Sequence, residues 1–278
     1  MNPRNPLPPL ILVSLVAFST GCGDSVFGDN IEDELRDAVS RSGYQGHVVE
    51  WSSGISLPNL GIRSFGRTFD RSSVTYEVSE DDDGASVRVI RSASGVLVID
   101  RDDDTSDNRS FVTHTSSRLV DLEGGDSDAW NVDRITVHDG QSDDLLTKIK
   151  RVFVSWADKN VMFEDTDEFY DIDVLDFFPN DEITITVVVN TQDVLGLLHL
   201  LDSDVQIMEQ KVLDETEDVM VLRSSYIAPS NPGQYFTYID VFLLSVFDNV
   251  DDFDELDDLA DYSAASWGMP YKVNGNSN

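Results

Sequence analysis

The histidines are the side chains of this sequence best suited to bind a metal ion or transfer a proton. The chain has four of them: His47, His114, His138 and His199. No two of them stand at the spacing of a zinc site, and the pattern H-E-x-x-H does not occur. His114 lies in the polar stretch 113–115, and His138 ends an alternating run before a turn. We therefore expect surface or strand-end positions for these two, and the histidines predict no metal ligand and no catalytic residue.

Motifs for nucleophilic or nucleotide chemistry are also missing. The patterns G-x-S-x-G, G-x-x-x-x-G-K-[ST] and G-x-G-x-x-G do not occur. Residues 23–25 match the short Gly-Asp-Ser motif of GDS-type esterases, but the later Asp-x-x-His of those enzymes is absent. We therefore treat the triplet as a chance match and predict that the protein is not an enzyme.

Clusters of acidic side chains are the remaining candidates for a binding site. They are residues 80–83, 100–107 and 164–168, the last followed by Asp171 and Asp173. Carboxylates in the loops between strands can bind Ca²⁺ at roughly 2.3–2.6 Å. None of the clusters has EF-hand spacing: for the first, position one falls on Ser79 and position twelve on Ile90. Calcium binding is an alternative that the sequence leaves open, and no cofactor is predicted.

The charge balance limits the partners of the chain. It has 19 basic and 53 acidic residues among 278, a net charge of −34. Such a field repels nucleic acids and anionic lipid head groups over a Debye length of about 10 Å, so we predict no nucleic-acid partner. The hydrophobic content of 40% and the aromatic content of 9% are sufficient for a packed core.

The N-terminus combines a basic residue, a short apolar run and a cysteine. Arg4 precedes the apolar residues 10–18, which are too few to span a bilayer core of ~30 Å. The run ends in Ser19-Thr20-Gly21-Cys22. This segment resembles the lipobox of bacterial lipoproteins, with Ser19 at the position where Leu is commonest. The resemblance covers residues 1–22 and does not extend to the rest of the chain.

The lipobox resemblance implies where the chain is processed and held. It implies cleavage between Gly21 and Cys22 and attachment of lipid to the Cys22 thiol, which would hold the protein at a membrane of the cell envelope. Gly23 stands where an aspartate retains some lipoproteins in the inner membrane, which favours the outer membrane if the host has one. An ordinary secretory signal is the competing interpretation. Cys22 is the only cysteine, so an internal disulfide is excluded.

Hydrophobic periodicity predicts the elements that follow. Residues 31–39 place apolar side chains on one helical face, and Gly43 follows as a stop. Period-two or continuous apolar runs predict strands at 74–78, 87–89, 96–99, 135–137, 151–156, 183–189, 219–222 and 235–247, the last of these a central strand. Leucines in 194–201 have helical spacing and predict one short helix.

These elements predict an all-β fold of antiparallel sandwich architecture with short flanking helices. We expect a signal peptide at 1–21, a tether and helix at 22–44, sandwiches at 45–140 and 148–250, and an acidic helix or tail at 251–278. The alternative is one large curved sheet, or half-barrel, with helices over its mouth.

The function that these patterns favour is a lipid-anchored, non-enzymatic structural or binding module of the cell envelope. Its expected partners are the membrane, through the lipid, and an envelope protein or polymer whose identity the sequence does not give. Two alternatives are a half-barrel carrier of apolar ligands or lipoproteins and a calcium-dependent adhesion module. A hydrolase assembled from distant residues is a third, which would need a pocket that gathers a histidine and two acids.

Overall fold

The computed structural model describes residues 31–46, 49–81, 84–101, 108–124, 129–142, 146–200, 205–212, 219–247 and 262–275. The predicted signal peptide, Cys22, the tether and the acidic segment 251–259 lie outside these residues. The described parts contain one α-helix and seventeen strands. The helix is α1 (Ile31–Ser42), and the strands are β1 (Trp51–Leu57), β2 (Ile62–Asp81), β3 (Gly84–Arg101), β4 (Asn108–Gly124), β5 (Trp130–Ile135), β6 (His138–Gln141), β7 (Ile149–Trp156), β8 (Lys159–Phe163), β9 (Tyr170–Asp171), β10 (Asp176–Phe177), β11 (Glu182–Val189), β12 (Val194–His199), β13 (Val205–Ile207), β14 (Glu209–Val212), β15 (Met220–Ile227), β16 (Gly233–Leu243) and β17 (Ala264–Val273). Short 3₁₀ turns occupy Pro58–Leu60 and Leu244–Phe247.

Helix α1 is amphipathic, as predicted. Acidic residues occupy its first turn, where they complement the helix dipole. Its buried face consists of Leu35, Ala38 and Val39. Gly43 follows with φ 77°, a left-handed conformation that glycine adopts without a steric cost. The chain therefore turns directly after the helix, and this turn places Tyr44 and Gly46 over the sheet described next.

The strands form two sheets. The larger has twelve strands in the order β1-β2-β3-β4-β6-β17-β16-β12-β13, with β5 and β9 attached at β4 and with β10 beside β17. The smaller has five, in the order β14-β15-β11-β7-β8. All pairings are antiparallel except that of β10 with β17. The predicted antiparallel all-β class is confirmed, and β16 is a central strand, as its two apolar faces predicted.

The segments 45–140 and 148–250 do not form separate sheets. β6 from the first segment pairs with β17, which in turn pairs with β16 from the second. Residues of both segments also share one hydrophobic core. An acidic helix or tail was the prediction for 251–278. Residues 264–273 of this segment instead form strand β17, and nine of these ten residues are buried. The arrangement is closer to the alternative of one large curved sheet.

The predicted short helix at 194–201 is wrong, because residues 194–199 form strand β12. All six residues of the strand are buried. Leu195 and Leu197 lie in the core inside the large sheet, whereas Val194 and Leu198 lie in the core that contacts the small sheet. A strand covered on both faces has an unbroken apolar run, and such a run can also match helical spacing.

The large sheet curls so that β1, at one edge, contacts β12 and β16 near the other edge. The Trp51 ring of β1 lies 5.8 Å from the ring of Phe242 on β16 and 5.3 Å from that of His199 on β12, measured between centroids. Inside the curl, the apolar side chains of β1, β2, β3, β12 and β16 form a filled inner core. An outer core lies between the opposite face of β16–β17 and the small sheet, and it continues beneath α1. The long strands β2, β3 and β4 run through both regions.

Candidate functional site

A layer of polar side chains crosses the interior of the curled sheet between the two apolar regions. On β4 the inward positions change from Val112 to His114, Ser116 and Arg118, and then back to Val120. Each of these side chains is at most 2% exposed. Buried polar groups are costly unless they form hydrogen bonds or ion pairs. The groups to which these side chains bind therefore indicate whether the layer has a structural or a catalytic role.

The centre of the layer is a buried ion pair between β2 and β16. Arg67 Nη2 and His199 Nε2 both donate to Asp240 Oδ2, at 2.8 and 2.7 Å. Arg67 also donates to the Tyr262 hydroxyl at 2.7 Å and to the Val49 carbonyl at 2.8 Å. Its guanidinium carbon lies 4.6 Å from the centre of the Trp51 ring. The pair is therefore held from several sides.

The pKa of Asp240 follows from this arrangement. Burial alone would raise the pKa of the Asp240 carboxyl, but the Arg67 guanidinium and the hydrogen bond from His199 hold it well below its usual range. Asp240 is therefore an ionised carboxylate across the ordinary pH range. An ionised acid already bound to two donors is a poor proton donor to a ligand, and this favours a structural role for the pair.

A histidine and a serine meet beside the ion pair. His114 Nε2 lies 2.9 Å from Ser266 Oγ, and Asp240 is the strand partner of Ser266. Burial, and after it the positive charge of Arg67, lower the pKa of His114 to about 4 against the opposing effect of Asp240. A Cβ on Gly140 would collide with the Ser266 hydroxyl and the His114 ring, so the side chains here are closely packed. A serine, a histidine and an acid are thus neighbours, but each is at most 6% exposed, which leaves a substrate no access.

The predicted surface or strand-end position is wrong for His114, which lies buried within β4, whereas His138 is at a strand end, as the first residue of β6, and is buried there. His114, His138 and His199 are all buried, with exposed fractions of 2%, 1% and 6%. The sequence contained the signal for His114, because it stands in phase with Val112 and Val120 on the inward face of β4. Its polar neighbours Thr113 and Thr115 favour a surface position in the sequence, but they lie on the opposite, exposed face of the strand.

Arg118 connects the polar layer to the turn after α1. Its Nη2 donates to the Gly268 carbonyl at 2.8 Å, and its Nη1 donates to the Tyr44 carbonyl at 3.3 Å. Burial lowers the pKa of Arg118 to about 10, and its Nε has no hydrogen-bond partner within the described residues. A buried guanidinium that binds main-chain carbonyls fixes the position of Tyr44 at the mouth of the curled sheet.

The mouth contains an open cleft of about 520 Å³. Tyr44, Asp173, Gln234, Lys272 and Asn274 are among the residues that line it. Burial raises the pKa of the Tyr44 phenol, Arg118 opposes this shift and Asp173 adds to it. The cleft therefore offers an aromatic ring, a carboxylate, an ammonium group and amides to a small polar ligand. Of these residues only Asp173 belonged to a cluster singled out in the sequence, because the others come from distant segments without a shared motif.

The acidic clusters do not converge on a metal centre within the part of the chain that the structure describes. No group of three or more His, Cys, Asp or Glu side chains is arranged to hold a metal ion there. Glu164 binds Arg151, and the Asp165 carboxylate accepts a hydrogen bond from the Asp167 amide. Asp171 ends the two-residue strand β9, whereas Asp173 lies at the cleft. Much of the clusters 80–83 and 100–107 lies outside the described residues, and calcium binding by those loops stays a prediction.

Comparison of the chain with protein-family models, with curated proteins and with solved structures found no match. Among the described residues, no helix has the length and apolar character needed to cross a bilayer.

Proposed function

We propose that the protein is a lipid-anchored, non-enzymatic binding module of the cell envelope. The observation that carries the proposal is the sole cysteine, Cys22, which directly follows Ser19-Thr20-Gly21 at the end of a short apolar run. Several acyl chains on that thiol, at ~0.8 kcal/mol per buried CH₂, would give stable membrane attachment. The cleft at Tyr44 and Lys272, of about 520 Å³, would be the place where such a module binds a small ligand.

The proposed anchor stands close to the folded part of the chain. Eight residues separate Cys22 from Ile31, the first residue of α1. A fully extended chain of this length holds Ile31 within about 30 Å of Cys22. The folded region would therefore remain near the lipid surface, where a partner must be a neighbouring envelope component.

The buried state of the polar layer supports a non-enzymatic role. Hydrolysis by Ser266 and His114 would require a substrate carbonyl to reach the serine oxygen. The serine is 6% exposed, and Gly140 is packed against its hydroxyl. The hydrogen bonds of Asp240 are directed to Arg67 and His199 rather than to His114. These contacts suit a structural layer that fixes how the sheet curls.

A carrier of apolar ligands is the second candidate, because the sheet is curled and α1 covers one end of it. Such a carrier needs a hollow interior lined by apolar side chains. Here Leu197, Phe242 and Phe65 fill the inner core and are at most 1% exposed. The filled interior favours the binding module over the carrier.

Replacement of Cys22 tests the anchor. We expect Cys22→Ala to move the protein from the membrane pellet to the soluble fraction in its native host, and the neighbouring Ser25→Ala to leave it in the pellet. Mass spectrometry of the unaltered protein should detect fatty acids on the N-terminal cysteine. An unmodified thiol, together with a Cys22→Ala variant that still pellets with membranes, would disprove the proposal.

A further inference from the structure

The cleft at the mouth of the curled sheet contains two opposite charges that do not pair with each other. Asp173 and Lys272 both line the cleft, and both residues are exposed. Among the described residues, neither of them takes part in an ion pair, although such pairs form elsewhere, for example between Arg151 and Glu164. A carboxylate and an ammonium group that share a cleft without contacting each other are available to a ligand that carries both charges.

The position of Lys272 follows from the pleat of β17. Alternate residues of a strand point to the same face, and the pairing of β17 with β16 is unbroken from Ala264 to Val273. Lys272 is therefore in phase with Ser266, whose hydroxyl lies in the buried polar layer. It continues this inward row to the open end of the sheet, where the side chain of its strand partner, Gln234, lies on the same face. An ammonium group and an amide thus stand side by side at this end of the cleft.

The loop that carries Asp173 is held against β17 by main-chain hydrogen bonds. The Lys272 amide donates to the Leu175 carbonyl, and the Asn274 amide donates to the Phe177 carbonyl, both at 2.9 Å. These bonds fix the backbone of the loop relative to the strand that carries Lys272. The two charged residues are therefore already in place before a ligand arrives, which lowers the entropic cost of binding.

Tyr44 lies on the side of the cleft that holds Asp173. Burial raises the pKa of the Tyr44 phenol, Arg118 opposes this shift, and the Asp173 carboxylate adds to it, so the carboxylate is close enough to affect the phenol. The main chain of Tyr44 is held in place, because its carbonyl accepts a hydrogen bond from Arg118 at 3.3 Å. An aromatic ring beside a carboxylate suits an ammonium group, which is attracted by the face of the ring and by the opposite charge.

The charges around the cleft favour a ligand whose own charges sum to zero. The field of a chain with net charge −34 repels anions, and Lys272 repels a cation within the cleft itself. A ligand without charged groups would cover Asp173 and Lys272 and leave both without a counter-charge, which is costly. A zwitterion avoids each of these penalties, because both of its charged groups face an opposite charge.

We propose that the cleft binds a small zwitterion, either a free amino acid or a short peptide, with its ammonium group at Asp173 and its carboxylate at Lys272. The side-chain amide of Gln234 can form a hydrogen bond with the carboxylate or with a peptide group beside it. The volume of about 520 Å³ lies within the range of small-molecule sites, roughly 300–1,000 Å³. The inference rests on the part of the proposed function that makes the protein a binding module, and it does not depend on the lipid anchor.

Isothermal titration calorimetry with end-blocked probes tests the proposal. The detergent-solubilised full-length protein is titrated at neutral pH with alanine and with trialanine, each in its free form, acetylated at the amino end, amidated at the carboxyl end, and blocked at both ends. We expect at least one free probe to bind. Each single block should weaken its binding about tenfold, because it removes one charge-assisted hydrogen bond. Tighter binding of trialanine than of alanine would identify the ligand as a peptide, and the reverse order would identify it as a free amino acid.

Two results would overturn the inference. The first is binding of neither free probe at concentrations up to about 10 mM; it would not bear on the anchor, which membrane fractionation of the Cys22→Ala variant tests separately. The second is equal binding of the free and doubly blocked forms, which would retain a ligand in the cleft but exclude the zwitterion.

Matched variants identify which residue binds which end of the ligand. In Asp173→Asn, the acetylated and free forms should bind equally, whereas amidation should still weaken binding. In Lys272→Met, the amidated and free forms should bind equally, whereas acetylation should still weaken binding. Asp171→Asn and Lys211→Met are the controls, because both residues are exposed and lie outside the cleft, and they should bind every probe as the unaltered protein does. The opposite assignment of the two ends, or equal losses in the controls, would contradict the proposal.

Discussion

Removal of the Asp240 carboxylate is the most direct test of the interior described above. In Asp240→Ala, Arg67 keeps its hydrogen bonds to Tyr262 and to the Val49 carbonyl but loses its counter-charge. The Arg67 and Asp240 side chains are only 1% and 2% exposed, so bulk solvent does not screen the charge of the guanidinium. The variant therefore leaves an uncompensated cation in the centre of the sheet.

The expected cost is large relative to the stability of a folded domain. Breaking a buried ion pair by removal of one partner costs about 3–5 kcal/mol, whereas domains are stable by about 5–15 kcal/mol. The exposed pair of Arg63 and Asp100 provides the matched control, because Arg63 is 64% exposed. Asp100→Ala should cost less than about 1 kcal/mol. The two substitutions remove the same side chain from two different environments.

Urea unfolding at neutral pH and constant ionic strength measures both losses. Tryptophan fluorescence is a suitable signal, since the Trp51 ring is 4.6 Å from the Arg67 guanidinium, and far-ultraviolet circular dichroism checks that both signals change together. The double variant Arg67→Met/Asp240→Ala removes both charges and should recover part of the loss. A loss below about 1 kcal/mol for Asp240→Ala, equal to that of Asp100→Ala, would refute the argument from burial.

Two further predictions concern the same sheet. Burial lowers the pKa of His114 to about 4, and the unfolded chain binds a proton near pH 6.5, so the stability should fall as the pH is lowered from about 6.5 to about 4. His114→Gln should make the unfolding free energy less dependent on pH in that window, and an unchanged pH profile would show that His114 does not titrate as described. Gly95→Ala should lower the free energy of unfolding by about 3 kcal/mol or more, because the added methyl group would collide with the Thr68 backbone. Gly43→Ala, with open space around it but φ 77°, should cost about 1 kcal/mol, and thermal melting that ranks the two in the opposite order would contradict the close approach at Gly95.

The local elements were largely predictable from the sequence. Runs such as 183–189 alternate apolar and polar side chains, and the structure places them in strands because one face of each run is buried. The exceptions are strands with both faces buried. In β12 and β17 the period-two pattern disappears, because the outer core covers one face of each strand, whereas the inner core covers the other face of β12 and the polar layer covers that of β17.

The pairing of the strands and the site were not predictable in the same way. β6 pairs with β17, which lies more than 120 residues further along the chain. No local sequence pattern specifies which distant strand will pair with a short strand such as β6. The cleft brings together Tyr44 from the turn after α1, Asp173 from a loop and Lys272 from β17. Each of these residues has an ordinary neighbourhood in the sequence, so only the three-dimensional arrangement identifies them as neighbours.

The position of β17 has a consequence for how the large sheet folds. This strand follows the other sixteen described strands along the chain, yet it lies between β6 and β16 in the middle of the large sheet. Before β17 pairs, no strand joins β6 to β16 by hydrogen bonds. Pairings between strands so far apart in the chain form slowly. The large sheet is therefore complete only after β17 has paired on both of its sides. The repulsion among the 53 acidic residues of the chain would meanwhile keep the exposed edges of neighbouring chains from joining.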